Sequence, residues 1–181
     1  MIDKRKLMTE LTVIKQESNS IEEIGLGILH SEDQYLTFLL KNELYAVDIL
    51  CVEEIRGWDE PTMIPNSPNY IKGVINLRGR IVPVSDLRER FSICEPTYDA
   101  TTVVIILTIQ VEGKERQMGI VVDAVSDVVN GNGDDLEKAP NSAASEASRF
   151  VEGLLNVDNH VISVLDLQPL LVIEDDNRTI N

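Results

Sequence analysis

Soft and imidazole ligands are scarce in this chain: two histidines, His30 and His160, and two cysteines, Cys51 and Cys94, all far apart. A metal site needs several such ligands converging, and no two of these stand at ligand spacing. So few cysteines also exclude a disulfide-stapled fold and suit buried, reduced thiols in a reducing compartment. Aromatic residues are only 4% of the sequence, which leaves no platform of stacked rings for single-stranded nucleic acid. Basic residues are outnumbered 16 to 31, for a formal net charge of −15, so the average field repels phosphate backbones and anionic lipid headgroups. The longest apolar stretches, 103–109 and 161–171, are too short or too interrupted to cross a hydrocarbon core of roughly 30 Å as a helix. The basic start is followed by Glu10, Lys15, Gln16 and Glu17 rather than by the apolar run of a signal peptide. There is no HExxH, no GxSxG and no Gly-rich loop ending in Lys-Ser or Lys-Thr. Neither histidine has the helical setting of a phosphotransfer residue: His30 precedes a strand-like run and His160 opens one. These absences argue against an enzyme, a metal or cofactor protein, and a nucleic-acid binder.

What is present is a sequence of short strands. A hydrophobic content of 43% over 181 residues is enough for one sizeable core or two small fused ones. Residues 1–32 read as an extension, in which Leu7, Leu11 and Ile14 share one face of a short helix over residues 4–16. From Tyr35 the texture becomes strand-like: YLTFLL and YAVDI flank a polar Lys41-Asn42-Glu43 connection, and the second run is apolar enough on both faces for both to be covered. CVEEIRGW follows, then a loop over 59–69 with a helical turn near 67–71. GVINLRGRIVPVSDL reads as a hairpin turning at Gly79, with Pro83 expected at an edge or bulge because it lacks a ladder donor. LRERF reads as a helical turn, TTVVIILTI as the strongest strand, GKER as a turn, and QMGIVVDAV as its return strand. A polar loop over 130–148 precedes the last pair, FVEGLLNV and HVISVLDL, joined at Asp158-Asn159. Eight or nine strands at hairpin spacing favour an all-β barrel or sandwich, with two small lobes possible around 80–100 and no exact repeat.

Charge is unevenly placed. Residues 123–176 carry twelve acidic and two basic side chains, whereas 72–90 carry Lys72, Arg78, Arg80, Arg88 and Arg90 against Asp86 and Glu89. A basic island in an acidic protein can steer an acidic helical partner, with arginine making bidentate contacts to carboxylates. Arg78, between Leu77 and Gly79, has its direction fixed by a tight turn that Asn76 organises through local hydrogen bonds. Of Glu53 and Glu54, one is expected to face the same surface and the other to face elsewhere. The bland alternative is solvated arginines beside an ordinary hairpin.

The ordered blocks YLTFLLKNELYAVDILCVEEIRGW, IPNSPNYIKGVINLRGRIVPVSDLRERF and GIVVDAVSDVV resemble the CheW-type chemotaxis coupling proteins over 34–173. The resemblance implies an all-β fold of two intertwined five-stranded SH3-like barrel lobes with short helices. It places the coupling domain at 33–175, between the extension 1–32 and a polar tail 176–181. It implies a non-catalytic, cytoplasmic adaptor without cofactor or metal, held at the inner face of the membrane through receptor arrays. Its partners would be the cytoplasmic tip of methyl-accepting chemotaxis receptors and the regulatory domain of a CheA-type histidine kinase, with no nucleic acid and no membrane insertion. The receptor-binding residues so implied are Val52, Glu54, Gly73, Val74, Asn76, Leu77, Arg78 and Gly79, with Val52, Val74 and Leu77 lining a groove. Val121, Val125 and Val128 are the expected kinase-facing positions. A length of 181 residues leaves no room for an added receiver or ATP-binding domain. The alternatives are a similar scaffold serving a pilus or gliding system and an unrelated nucleic-acid-binding barrel. VSDL in place of a more hydrophobic VIDL-like form, and the long extension, are the departures from the family pattern.

Overall fold

The computed structural model describes residues 9, 12–13, 33–111, 113–131, 136–138 and 145–173. Of the expected helix over 4–16, Thr9, Thr12 and Val13 are described and are helical; the rest of the extension and the tail 176–181 lie outside the described residues. Eleven strands are described: β1 Asp33–Leu40, β2 Glu43–Asp48, β3 Val52–Gly57, β4 Ile71–Leu77, β5 Arg80–Asp86, β6 Val103–Val111, β7 Lys114–Val122, β8 Ala124–Gly131, β9 Glu137–Lys138, β10 Val151–Val157 and β11 His160–Leu165. They form two sheets, one in the order β8-β1-β2-β11-β10-β9 and the other in the order β3-β6-β7-β5-β4. The fold is therefore two β-lobes of mixed topology, six strands against the five expected in one of them, the sixth being the two-residue β9.

Both faces of the central strands are covered, as the near-continuous apolar runs suggest. Along β6, Val103, Ile105 and Leu107 enter a core shared by the two sheets, while Val104 and Ile106 enter one built with Leu77, Val82, Val84 and Val121. Along β2, Tyr45 and Val47 face the shared core, and Ala46 packs with Tyr35, Leu155, Ile162 and Val164. Phe38, Tyr45, Phe91 and Phe150 run through the shared core at successive ring separations of 6.3, 5.9 and 5.3 Å. Burying side chains of this size stabilises by roughly 1.5–3 kcal/mol each.

The chain also repeats itself at an offset of eighty residues. IKGVINLRGRIVPVSDLRER at 71–90 aligns without a gap on VEGLLNVDNHVISVLDLQPL at 151–170, sharing glycine at 73 and 153, asparagine at 76 and 156, valine at 84 and 164, aspartate at 86 and 166, and leucine at 87 and 167. The structure repeats with it. Each stretch is a hairpin with a bulge beside its glycine, a parallel partner on its second strand, and an aspartate capping the helical turn that follows. Each glycine lets another backbone close in: a Cβ at Gly73 would lie 2.2 Å from the Thr62 carbonyl oxygen, and one at Gly153 would lie 2.9 Å from that of Glu137. The halves exchange strands, since β1 and β2 join the sheet of β10 and β11 while β6 and β7 join that of β4 and β5.

Two expectations are corrected. Pro83 lies on an interior strand, because β5 sits between β4 and β7. Val74, opposite it, spends its N–H and carbonyl on Thr62, and the parallel ladder to β7 begins at Val84, so the missing donor interrupts neither pairing. Over 67–71 there is a tight turn at Asn69–Tyr70, closed by the Ile71 N–H to the Pro68 carbonyl at 2.9 Å, rather than a helical turn, and Ile71 already opens β4. Among the described residues no helix is long and apolar enough to cross a membrane.

Candidate functional site

The β4–β5 hairpin closes in two residues, Arg78 and Gly79, with φ of 51° and 88°. Positive φ at both central positions is what a type I′ turn requires, and glycine satisfies it without strain at the second. The Asn76 side-chain oxygen accepts the Gly79 N–H at 2.8 Å and braces the turn. Arg78 is thereby projected into solvent with its side chain 78% exposed, and Nη2 reaches the Glu54 carboxylate on β3 at 3.4 Å. A pair this exposed contributes less than about 1 kcal/mol to folding. What it fixes is direction. Glu53 turns the other way, accepting the Thr108 hydroxyl at 2.7 Å and the Gln117 amide, so the two neighbouring acids do serve different surfaces.

The other expected receptor-side residues divide by burial. Val52 is wholly buried in the shared core and Leu77 in the β3–β7 lobe, so neither lines a groove; both hold up the strands that present Glu54 and Arg78. Val74 is half-buried on the outer face of β4, and Gly73 is the point where Thr62 closes over that strand. The kinase-side trio is not one surface either. Val121 is buried in the β3–β7 lobe, whereas Val125 and Val128 are half-buried against the shared core.

Two features escaped the sequence reading. One is Ile81, 65% exposed and paired with Asn76 on the outer face of the hairpin, beside Arg80, which contacts Glu115. Its place in an apolar run gives no sign of its exposure. The other is a buried charge cluster at the base of the hairpin. Arg88, 1% exposed, donates from Nε and Nη2 to Asp86 at 3.0 and 2.7 Å, and from Nη1 to Asp123 and to the Thr97 carbonyl at 2.7 Å each. Burial opposes the charge on Arg88, but the hydrogen bonds and charge of Asp86, then of Asp123, more than offset it and hold the guanidinium firmly protonated. The Tyr98 hydroxyl donates to Asp86 at 3.1 Å, and burial, then Asp86, raises its pKa. Tyr98 stacks on Trp58 at 4.1 Å, and the pair forms one wall of a surface groove of about 480 Å³ that also takes in Pro61, Met63 and Ile64. That groove, rather than one at Val52 and Leu77, is an open apolar concavity near the hairpin.

Among the described residues no three His, Cys, Asp or Glu side chains gather as a metal site. Cys51 and Cys94 are not disulfide-bonded, and Cys94 is exposed where a buried thiol was expected.

Comparison with known proteins gives a consistent answer. The family model described as CheW-like domain matches residues 34–175. A chemotaxis protein CheW from Klebsiella aerogenes is 43% identical over 142 residues, covering 78% of this chain and 83% of that protein. The chemotaxis protein CheW of Bacillus subtilis is 30% identical over 139 residues, covering 77% and 86%. The crystal structure of the scaffolding protein TtCheW from Thermoanaerobacter tengcongensis superposes with a TM-score of 0.71 at 32% identity, covering 83% of this chain and 99% of that one.

Proposed function

Because the chain belongs to the CheW-like family, whose members are scaffolds rather than enzymes, we propose that it is a chemotaxis adaptor coupling methyl-accepting receptors to a CheA-type histidine kinase. The observation that carries the site assignment is the Asn76-braced turn presenting Arg78 against Glu54. A fixed, exposed guanidinium suits a carboxylate on a helical hairpin, where it sets register, and Ile81 and Val74 beside it supply apolar contact. Glu54, Gly73, Val74, Asn76, Arg78 and Gly79 form the receptor side, with Val52 and Leu77 beneath them. Val125 and Val128 are half-buried candidates on the kinase side, while Val121, buried in the separate core of the β3–β7 lobe, offers no surface there.

In this reading residues 33–175 are the coupling domain, each sheet is an SH3-like barrel, and the protein works at the inner face of the membrane within receptor arrays. The test is a three-component assay of this protein, a receptor signalling fragment and the cognate kinase. Arg78→Ala should leave the unfolding midpoint nearly unchanged and lower receptor-dependent kinase activation by about tenfold, the loss of one charge-assisted contact. Unchanged activation at saturating binding would sink the role of Arg78. Failure of the native chain to bind either partner would sink the adaptor reading.

A further inference from the structure

The groove walled by Trp58 and Tyr98 gathers apolar side chains that the cores do not use. Met63 is 80% exposed there, Ile64 40% and Tyr98 38%. Single apolar residues scattered over a surface need no explanation, but several in one concavity mark a place where another element packs. The groove is preformed. Its two rings stack with planes 8° apart, Thr62 pairs through its N–H and carbonyl with Val74 at 2.9 and 2.8 Å, and the Ser67 hydroxyl donates to the Ile64 carbonyl at 3.0 Å. A volume of about 480 Å³ takes a few side chains rather than a domain. Among the described residues that line it only Glu60 and Lys72 are charged, and Lys72 is engaged by Glu89, so the charge offered at the rim is that of Glu60.

The chain carries a segment with the matching chemistry. Residues 1–16 hold four basic and two acidic side chains, whereas the rest of the chain holds twelve and twenty-nine. At about 100° per residue, Leu7, Leu11 and Ile14 fall within about 60° of one another on a helix, and Lys4 and Lys15 border that stripe on one side. Thr9, Thr12 and Val13 are helical and exposed, and all three stand on the side away from the stripe. Residues 17–32 lead from this segment to β1. Sixteen residues extend to about 53 Å, against a radius of gyration of roughly 14 Å for a domain of this size, so the tether is long enough to cross it. It also holds the segment at about millimolar effective concentration, at which even weak docking is largely occupied.

We propose that the Trp58–Tyr98 groove is a docking site for the chain's own residues 4–16, seated as a helix with Leu7, Leu11 and Ile14 in the groove and Lys4 and Lys15 toward Glu60. The seated helix backs the 59–69 loop that pairs with β4, the strand leading into the Arg78 turn. The contact is made within one chain and stands apart from the adaptor reading.

Trp58 is the only tryptophan in the sequence, so its emission reports on the groove. The test compares the full chain with its Leu7→Asp/Leu11→Asp variant by emission maximum and acrylamide quenching. The two leucines precede the domain matched at 34–175, so the variant should fold as the native chain does. Its Trp58 emission should shift to the red and its quenching constant rise about twofold. A peptide of residues 1–16, added at millimolar concentration or below, should reverse both changes with saturation, and the same peptide with both aspartates should not. Adding Glu60→Lys to the variant, at an exposed position, should weaken peptide binding about threefold and remove its salt dependence. Equal quenching of the native chain and the leucine variant overturns the inference, as does a change that the peptide fails to reverse. A difference that vanishes on dilution places the segment of a second copy in the groove and overturns it as well.

Discussion

Replacing Asp86 by asparagine barely changes volume, yet it removes the fully buried, two-pronged counter-charge of a guanidinium that is 1% exposed. Asparagine keeps the oxygen that caps the helical turn Leu87–Arg90 through the Arg88 N–H at 3.0 Å. Its amide nitrogen takes the place of the oxygen that accepts Arg88 Nη2 at 2.7 Å and the Tyr98 hydroxyl at 3.1 Å, so donors face donors. A hydrogen bond to a charged group is worth about 1.5–3 kcal/mol, and breaking a buried pair about 3–5. Asp123 still holds Nη1, which keeps part of the stabilisation, and the expected loss is about 3 kcal/mol. Asp123 is itself 31% exposed, so Asp123→Asn should cost nearer 1 kcal/mol. Urea unfolding reads both, provided the slope with denaturant stays constant and only the midpoint moves. The double variant Asp86→Asn/Arg88→Met should be more stable than the sum of its parts, because no buried charge then lacks its partner and only Asp123, 31% exposed, loses one. An Asp86→Asn loss under about 1 kcal/mol, or strict additivity in the double variant, would refute the reasoning.

Gly73→Ala should destabilise by about 3 kcal/mol in the same urea assay, since φ is 140° and the added carbon meets the Thr62 carbonyl oxygen at 2.2 Å; a loss below 1 kcal/mol would mean that the 59–69 loop moves away freely. Alkali should unfold the protein through buried Tyr45 and through Tyr98, whose ring is partly exposed but whose hydroxyl is bonded to buried Asp86. Burial raises Tyr45 and Tyr98 above the ordinary value of 10.0, aided by Glu43 and Asp86 respectively, so the folded state holds these protons more tightly than the unfolded chain does. Their contribution is complete below pH 10 and is lost as pH rises toward the folded values, and tyrosinate absorbance should therefore lag and then rise together with unfolding.

The parts of the structure legible in the sequence were those encoded within a few residues. Asn76-Leu77-Arg78-Gly79 specifies a turn type, a brace and a presented side chain by local chemistry alone, and the turn forms as read. The β-branched run at β6 and the capped turn after Asp86 are local in the same sense. The direction in which an apolar strand residue faces was not legible. Where both faces of a sheet are covered, alternation disappears, and Val52, Leu77 and Val121 look the same in sequence whether they line a groove or fill a core. Ile81 was hidden for the converse reason. The Arg88 cluster joins residues 35 apart through space, and no spacing rule announces it.

The repeat was hidden because the two stretches are identical only at the glycine, asparagine, valine, aspartate and leucine noted above and differ at their exposed tips. Its consequence is mechanical. Neither half of the chain completes a sheet: the first supplies two strands to one lobe and three to the other, and the second supplies four and two respectively, the short β9 being the extra strand. At the crossing from β7 to β8, Asp123 accepts the Lys41 N–H from the turn of one sheet and Arg88 from beneath the other. Separating the lobes would therefore open the largest core, which both sheets share, a cost far above the 1–3 kcal/mol typical of coupling between sites. An adaptor built this way has little scope to relay a signal by moving one lobe against the other. On the adaptor reading proposed above, such a frame holds two partners at a fixed spacing and orientation.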